Sequence, residues 1–427
     1  MGHQVAVIGA GAMGLAAAYH ALKQGHDVTV YERDTVAGGM AAHFDFSDLS
    51  IERFYHFICK ADHPTFELMS ELGISDKMRW RATTMGYFID GEIQKWGDPI
   101  SLLTFKNLPL LDKLRYGLFA FVSTKRTDWS RLDKLRAHEW IQAWVGKRAY
   151  DKLWRQLFDL KFFEFADDIS AAWIWTRLKR VGTSRRSLFQ EELGYIEGGS
   201  ETLIRALEKA IRDLGGKICL GTGVKEITSV SGRATGIETD TGHQPADHVI
   251  CTVPTPFVSK LVPSLPEDTK AQYDAIPNIG VVCVLFRLRR SLSPHFWLNI
   301  VDPRIEAPGL IEFSNLRPLS DTVVYVPYYM PQSHPKFGKS DVFFVDEVFR
   351  YLQLVNPALT RDDVVATHVG RLRHAQPVCK PGFLETLPDV VTPITGLQIA
   401  DTCYYYPEDR GISESVRFGK LMAERIS

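Results

Sequence analysis

Residues 4–32 read QVAVIGAGAMGLAAAYHALKQGHDVTVYE, and this stretch decides the fold. QVAVI (4–8) runs β-branched and small apolar residues together without alternation, the pattern of a short parallel strand buried on both faces. The chain then passes Gly9, Gly11 and Gly14, with Ala10, Ala12 and Met13 between them, into the helical run LAAAYHALKQG. A G-x-G-x-x-G placed between strand and helix is a dinucleotide-binding fingerprint. Gly9 permits the tight turn, Gly11 lets the backbone approach a pyrophosphate, and Gly14 lets the helix pack closely on the strand. The helix N-terminus then offers its amides and dipole to the phosphates. A second strand, HDVTVYE, ends at Glu32, about 20 residues beyond the first glycine, where a carboxylate takes a ribose hydroxyl. These residues point to a dinucleotide without separating NAD from FAD.

At 427 residues the chain exceeds one ordinary core, so two intertwined domains are expected. A net charge of -1 gives no general reason to expect nucleic acid as a partner. With 9 Trp, 15 Tyr and 24 Phe, large ring-lined surfaces are available. Cys59, Cys219, Cys251, Cys283, Cys379 and Cys403 are scattered, with no C-x-x-C pair and no ligand-like spacing to histidine. Neither a metal site nor a disulfide framework is expected, and a reducing cytoplasm fits. The first strand begins by Gln4, which leaves no room for a signal peptide. No run reaches the ~18 apolar residues of a membrane-spanning helix. PLLDKLRYGLFAFV (109–122) is apolar with few charges and is expected to form a buried or lid helix in preference to a membrane-surface helix. Location is therefore cytoplasmic, with peripheral membrane contact as the variant. No feature sets an oligomeric state.

Five residues after Glu32 comes Gly38-Gly39-Met40, a glycine pair that lets the chain pass close to a second phosphate. In this Glu-x5-Gly-Gly pattern the sequence resembles the flavin-containing amine oxidase superfamily, which includes protoporphyrinogen oxidases and UDP-galactopyranose mutases. The resemblance implies FAD, held non-covalently. Met40 stands where that family most often has arginine, and Arg33 flanks the adenosine half.

Two distant segments extend the likeness. Residues 194–227 read GYIEGGSETLIRALEKAIRDLGGKICLGTGVKEI, with Leu203, Ile204, Leu207, Ala210, Ile211 and Leu214 on one helical face and Gly215-Gly216 ending the helix. By resemblance the strand that follows returns to the Rossmann sheet, and Val224 meets the adenine side through its backbone. ATGIETDTG reads as a hairpin and DHVICTVPT as a strand closing on proline. The C-terminal GLQIADTCYYYPEDRGISESVRFGKLMAERI gives a strand, Asp401 at its end, an aromatic loop, and a helix opened by Gly411-Ile412-Ser413. Ser413 reads as its N-cap, with Glu414 in the first turn. The resemblance implies that Asp401 binds the ribityl chain and that the helix N-terminus faces the pyrimidine end of the flavin. Amides there favour the negative charge of the reduced ring.

DLSIERFYHFICK follows the glycine pair, and by resemblance its strand passes the reactive face of the flavin. His56 is the first choice beside flavin N5, since a near-neutral imidazole can take or give the proton that accompanies hydride transfer. The alternative is a structural histidine bonded to a backbone carbonyl. Arg53 anchors an anionic substrate group or makes a surface ion pair. Residues 132–190 read as helical. Within them Lys161 sits between apolar neighbours, to hold a water or a substrate carboxylate or phosphate, or to snorkel outward. Phe162, Phe163, Trp173 and Trp175 read as core. Arg177, Lys179, Arg180, Arg185 and Arg186 read by default as a solvated helix face, with a diphosphate or anionic lipid head group as the sharper alternative. Tyr325, Tyr328 and Tyr329 belong to a strand, whereas Tyr404, Tyr405 and Tyr406 are the better pocket candidates.

The expected fold is α/β, a Rossmann-type FAD-binding domain in three discontinuous segments (1–60, 190–262 and 385–427) with an α+β substrate-binding domain (61–189 and 263–384). The latter carries a mostly antiparallel sheet and a helical part, with the site between the domains. The expected function is an FAD-dependent oxidoreductase. It moves a hydride from a small-molecule or lipid-linked substrate to flavin N5, and oxygen, a quinone or another acceptor reoxidises the flavin. The rivals are a UDP-galactopyranose mutase-like isomerase using reduced flavin without net redox, and a non-catalytic flavin-binding protein.

Overall fold

The computed structural model describes residues 2–426; Met1 and Ser427, the outermost residues of the expected first domain, lie outside them. Gln4–Ile8 becomes the central strand of a five-stranded sheet in the order Lys217–Cys219, Asp27–Tyr31, Gln4–Ile8, His248–Cys251, Leu397–Ile399. Every pairing in it is parallel. Strands buried on both faces have no polar side to show, which is why QVAVI and HVIC read as unbroken apolar runs. The helix Ala12–Lys23 packs against both Ser200–Asp213 and the C-terminal helix Ile412–Glu424. Its alanines allow that crowding. A Cβ on Gly419 of the C-terminal helix would lie 2.4 Å from the Met13 carbonyl oxygen. Three separated stretches of chain thus close one Rossmann-type layer. A small antiparallel sheet, Val224–Val230, Arg233–Thr239 and Gly242–Pro245, adjoins it.

A second, seven-stranded sheet has the order Val364–Pro377, Asn278–Leu288, Thr322–Met330, Gly309–Glu312, Trp297–Ile300, Met85–Ile89, Glu92–Trp96. It is antiparallel except where Trp297–Ile300 meets Met85–Ile89. Asn278–Leu288 alternates between two cores. Val282, Val284 and Phe286 pack with Phe344, Val348 and Leu352 of the helix Asp341–Val355, while Cys283 and Leu285 join Phe296, Ile311 and Tyr325.

The helical part comprises Leu110–Lys125, Ala137–Val145, Lys147–Leu153, Arg155–Phe162 and Ala171–Thr183. The helical reading of 132–190 holds as far as Thr183 and is corrected beyond it. Arg185–Ser187 pairs with Gln190–Ile196, which in turn pairs with Met78–Thr83. Arg185–Ser187 turns back on the next strand as a short local hairpin, and only Gln190–Ile196 finds its second partner in a distant part of the chain. Of the two expected forms, buried or lid helix, Leu110–Lys125 departs from the fully buried one and lies over the cavity. It turns Tyr116 and Phe119 inward, but Leu110, Leu111, Leu114, Leu118 and Phe121 form an outward stripe, 55 to 65% exposed. No helix among the described residues is long and apolar enough to cross a membrane.

Candidate functional site

A continuous cavity of about 1810 Å³ runs from the glycine turn of the Rossmann layer into the helical part. Its first half is made mainly of backbone. Gly9 (φ +102°), Gly38 (φ +113°) and Gly39 (φ +57°) hold conformations that side chains resist. The Gly38 amide donates to the Ala10 carbonyl at 2.8 Å, docking the second glycine turn on the first. A Cβ on Gly11 would meet nothing within 4 Å, because Gly11 opens into the cavity. The helix beginning at Ala12 has no side-chain cap and no acidic residue in its first turn, which leaves its N-terminal amides for an anion. Glu32 is fixed at the wall, its Oε2 accepting the Ala10 amide and its Oε1 the Asp34 amide, both at 2.8 Å.

Gly9, Gly11, Ala12, Met13, Glu32, Arg33, Gly38, Gly39, Met40, Val224, Asp401, Gly411 and Ile412 all line this cavity. Gly14 stands behind it, where a Cβ would come within 1.9 Å of the Gly9 carbonyl oxygen. Ser413 is corrected. The N-cap is Gly411, in extended backbone, and Ser413 lies inside the first turn, buried, with an unpartnered Oγ. The Ser413 side chain therefore caps nothing, and the helix amides are left toward the cavity. Asp401 is buried and spends its oxygens on the amides of Thr255 (2.7 Å) and Cys403 (2.8 Å), tying together the turns after two sheet strands. Burial raises its pKa. Arg53 lines the cavity and pairs with Asp34 at 2.5 Å, which places it at the Glu32 end. Uncapped amides, two glycine turns and an anchored acidic residue fit the elongated, doubly phosphorylated FAD, whose adenosine would lie toward Glu32 and its ring toward Gly411.

The second half is made of side chains. Its walls are apolar and aromatic, among them Trp96, Phe119, Phe158, Phe162 and Ile174, and it reaches the outer helix at Phe121 and the turn at Leu188. Polar groups gather at its inner end. Burial takes the His56 pKa down to about 4, so its imidazole is neutral, and its Nδ1 has no hydrogen-bond partner. Burial likewise pushes the Tyr55 hydroxyl well above its usual range. Lys161 does not snorkel. Its ammonium sits 5.2 Å from the ring centre of Tyr329 and 5.9 Å from that of Phe162, and burial drives its pKa well below the lysine range.

The basic run is corrected too, because Arg177 and Arg180 turn inward on the buried side of their helix. Arg177 Nη2 reaches Asp409 Oδ1 at 2.8 Å while its guanidinium stacks 4.3 Å over Trp173. Arg180 grips Asp62 through Nε (3.0 Å) and Nη2 (2.7 Å). Lys179 donates to the Arg126 carbonyl and Arg185 to that of Gly97. Asp409 and Arg410, in the loop before the C-terminal helix, were not singled out from the sequence. The charged triplet Glu408-Asp409-Arg410 ahead of Gly411 was the available signal. Burial alone would raise Asp409, but Arg177, Lys161 and Arg410 hold it far below the usual carboxylate range. Of the aromatic loop only Tyr405 lines the cavity. Tyr406 turns away to donate to Asp133 at 2.6 Å, and Tyr404 pairs with Tyr273 at 3.4 Å. Tyr329, from the strand set, lines the cavity as well. As expected, Trp173 and Trp175 are core; Phe162 is buried but also lines the chamber, and Phe163 is only half-buried.

The family described as flavin containing amine oxidoreductase matches residues 14–378. The chain is 26% identical over 319 residues to zeta-carotene desaturase of Arabidopsis thaliana, covering 67% of this chain and 57% of that one. It spans little more than half the length of such curated relatives. Its fold is that of putrescine oxidase (TM-score 0.76, 16% identity, 100% and 99% of the two chains) and of reduced UDP-galactopyranose mutase (TM-score 0.75, 16% identity, 99% and 95%).

Proposed function

The chain belongs to the flavin-containing amine oxidoreductase family, and from that premise we propose that it is an FAD-dependent oxidoreductase dehydrogenating an organic, small-molecule or lipid-linked substrate. The observation that carries this reading is the continuity of the cavity. One end fits a dinucleotide, and the other is a largely aromatic and aliphatic chamber that opens beside Phe121 and Leu188. When bound, FAD supplies a two-electron acceptor for a substrate hydride, with oxygen, a quinone or another acceptor taking the electrons on.

The protein's part is position, field and proton management. Amides around Gly11 and the glycine pair hold the pyrophosphate, Arg33 and the Arg53–Asp34 pair flank the adenosine end, and the uncapped helix at Gly411 and Ile412 favours negative charge on the ring. His56, neutral and on the chamber wall, is the acceptor for the substrate proton, and Lys161 faces the substrate across the chamber. On this reading segments 1–60, 190–262 and 385–427 carry the cofactor, and 61–189 with 263–384 shape the chamber.

The same reading extends to location. The exposed leucine stripe of Leu110–Lys125 stands at the chamber mouth and rests on an anionic membrane surface, on its cytoplasmic side. Lys113 and Arg115 bond backbone carbonyls, not carboxylates, and so keep their charge for lipid head groups.

The mutase reading is weaker, because a sugar nucleotide would find mostly rings and aliphatic chains where it needs polar partners.

The test is the visible spectrum of the purified protein, followed anaerobically as amines, porphyrinogens, polyprenoid lipids and sugar nucleotides are added. Bleaching of a yellow protein by one class establishes the dehydrogenation and names the substrate class. Conversion of a sugar nucleotide only after chemical reduction replaces this reading with the mutase. A colourless protein that FAD cannot reconstitute removes it.

A further inference from the structure

Three cations, Lys161, Arg177 and Arg410, act on a single carboxylate, Asp409, at the polar inner end of the chamber. Their donors are unequally spent. Arg410 donates to the Ala375 carbonyl and to the Tyr329 hydroxyl, and Arg177 gives Nη2 to Asp409. Arg177 Nε is buried with no partner. Lys161 faces two aromatic rings and, among the described residues, has no carboxylate within 4.0 Å. Buried donors and buried net charge are both costly unless something answers them. Among the described residues the other carboxylates of the chamber wall are engaged elsewhere, Asp98 with Lys95 and Glu191 with Thr83. Arg180 is already matched by Asp62, and Arg53 by Asp34 at the opposite end of the cavity.

We propose that Lys161 and Arg177 form a subsite for one oxyanion, a phosphate or carboxylate, at the head of an amphiphilic substrate whose apolar chain lies along the aromatic chamber toward Phe121 and Leu188. This names the substrate class for the oxidoreductase reading and rests on it. Lys161 supplies the compact charge and several donors, and Arg177 a second positive charge fixed by Asp409 and Trp173. Asp409 holds the Arg177 fork in place through Nη2. Rings and aliphatic groups accept the chain beyond the head without any polar demand. Burial holds the Lys161 pKa well below the lysine range, and an oxyanion beside the ammonium would favour its charged form.

Calorimetry on the purified holoprotein with octyl phosphate, octanol and inorganic phosphate tests this without turnover. Octyl phosphate is expected to bind at least tenfold tighter than octanol and at least tenfold tighter than inorganic phosphate. Lys161→Met is expected to erase the preference over octanol while octanol itself binds as before, and Lys161→Arg to keep part of it. Equal affinity for octyl phosphate and octanol in the unsubstituted protein overturns the subsite, and so does a preference that survives Lys161→Met. Inorganic phosphate binding as tightly as octyl phosphate overturns the amphiphile and leaves a free-anion site. Should Lys161→Met lose its fold, Lys161→Gln replaces it, and the comparison of ligands on the unsubstituted protein still decides. A flavin that no substrate bleaches removes the oxidoreductase reading and leaves the calorimetric ratio standing. A lost ratio beside a bleachable flavin removes the subsite alone.

Discussion

The two halves of the cavity are built from different materials. The cofactor half is backbone: glycine turns, helix amides, and carboxylates clasped by amides. The chamber half is side chains: rings from many separate stretches of chain and a cluster of charges brought together across them. A backbone site leaves a local trace in the sequence, because each conformation demands a particular residue at that position. A side-chain site leaves almost none, because its partners meet only in the folded chain.

The sharpest way to break this comparison is at two neighbouring glycines. Gly14 is a packing glycine, and a Cβ there would come within 1.9 Å of the Gly9 carbonyl oxygen. Gly14→Val is expected to cost several kcal/mol, roughly the whole stability of the Rossmann layer, and to show as loss of cooperative urea unfolding. Gly11 is a ligand glycine, with open space where its side chain would go. Gly11→Val is expected to keep the urea midpoint of the FAD-free protein and weaken FAD binding by about 100-fold, or roughly 3 kcal/mol. Equal behaviour of the two variants would mean that the cradle is not divided into packing and ligand glycines.

The chamber half should respond through charge balance. Arg177→Met leaves Asp409 buried opposite fewer cations, and about 3 kcal/mol of stability should go with it. Adding Asp409→Asn should restore most of that loss, read as urea midpoints of the two single variants and the double. Losses that simply add would mean that the pair is not coupled and the cluster is incidental.

Legibility follows the same division. Gly9, Gly11, Gly14 and Glu32 could be read because strand, turn, helix and strand follow within one short unit. Arg177 and Asp409 stand 232 residues apart, so a basic helix run and a charged loop looked unrelated. Arg177 and Arg180 looked like a solvated face because their burial depends on Trp173, Asp62 and Asp409, which the helix meets only in the fold. The seven-stranded sheet was legible as apolar and aromatic strands, but not the order in which they pair. Ser413 misled because serine before a helix is a good cap by residue type, whereas the chain direction at Gly411 settles where the helix begins.

Acid should reach the chamber through His56 as well. Its folded pKa, about 4, lies below the 6.5 of the unfolded chain. Above pH 6.5 both states are neutral and His56 has no effect on stability. As pH falls from 6.5 toward 4 the unfolded state takes a proton that the folded state refuses, and stability falls. The full shift corresponds to about 3 kcal/mol, reached near pH 4. Other buried histidines titrate in the same direction, so the measurement is a difference. The fall in urea midpoint between pH 7 and pH 4.5 should be smaller in His56→Gln than in the unsubstituted protein. An identical fall would place His56 in water, where it could not be the chamber's neutral proton acceptor.

The smallest effect belongs to the outer rim, where side chains are mostly exposed. Leu114 and Phe121 are 57 and 61% exposed on the helix whose inner face closes the chamber. Replacing both with serine removes little packing, so the thermal midpoint should stay within about 2 °C. Binding to vesicles of mixed anionic and neutral phospholipid should nevertheless weaken by about tenfold, since each apolar side chain withdrawn from the interface removes its share of buried area. Sedimentation with vesicles at low and high salt separates the two contributions. The leucine stripe should set the part that survives salt, and Lys113 and Arg115 the part that salt removes. A double variant that sediments as before would detach the stripe from any membrane. Because the same helix carries Tyr116 and Phe119 on its buried face, the chamber would then be filled from solution, and the preference for an amphiphile would have to come from the charged cluster alone.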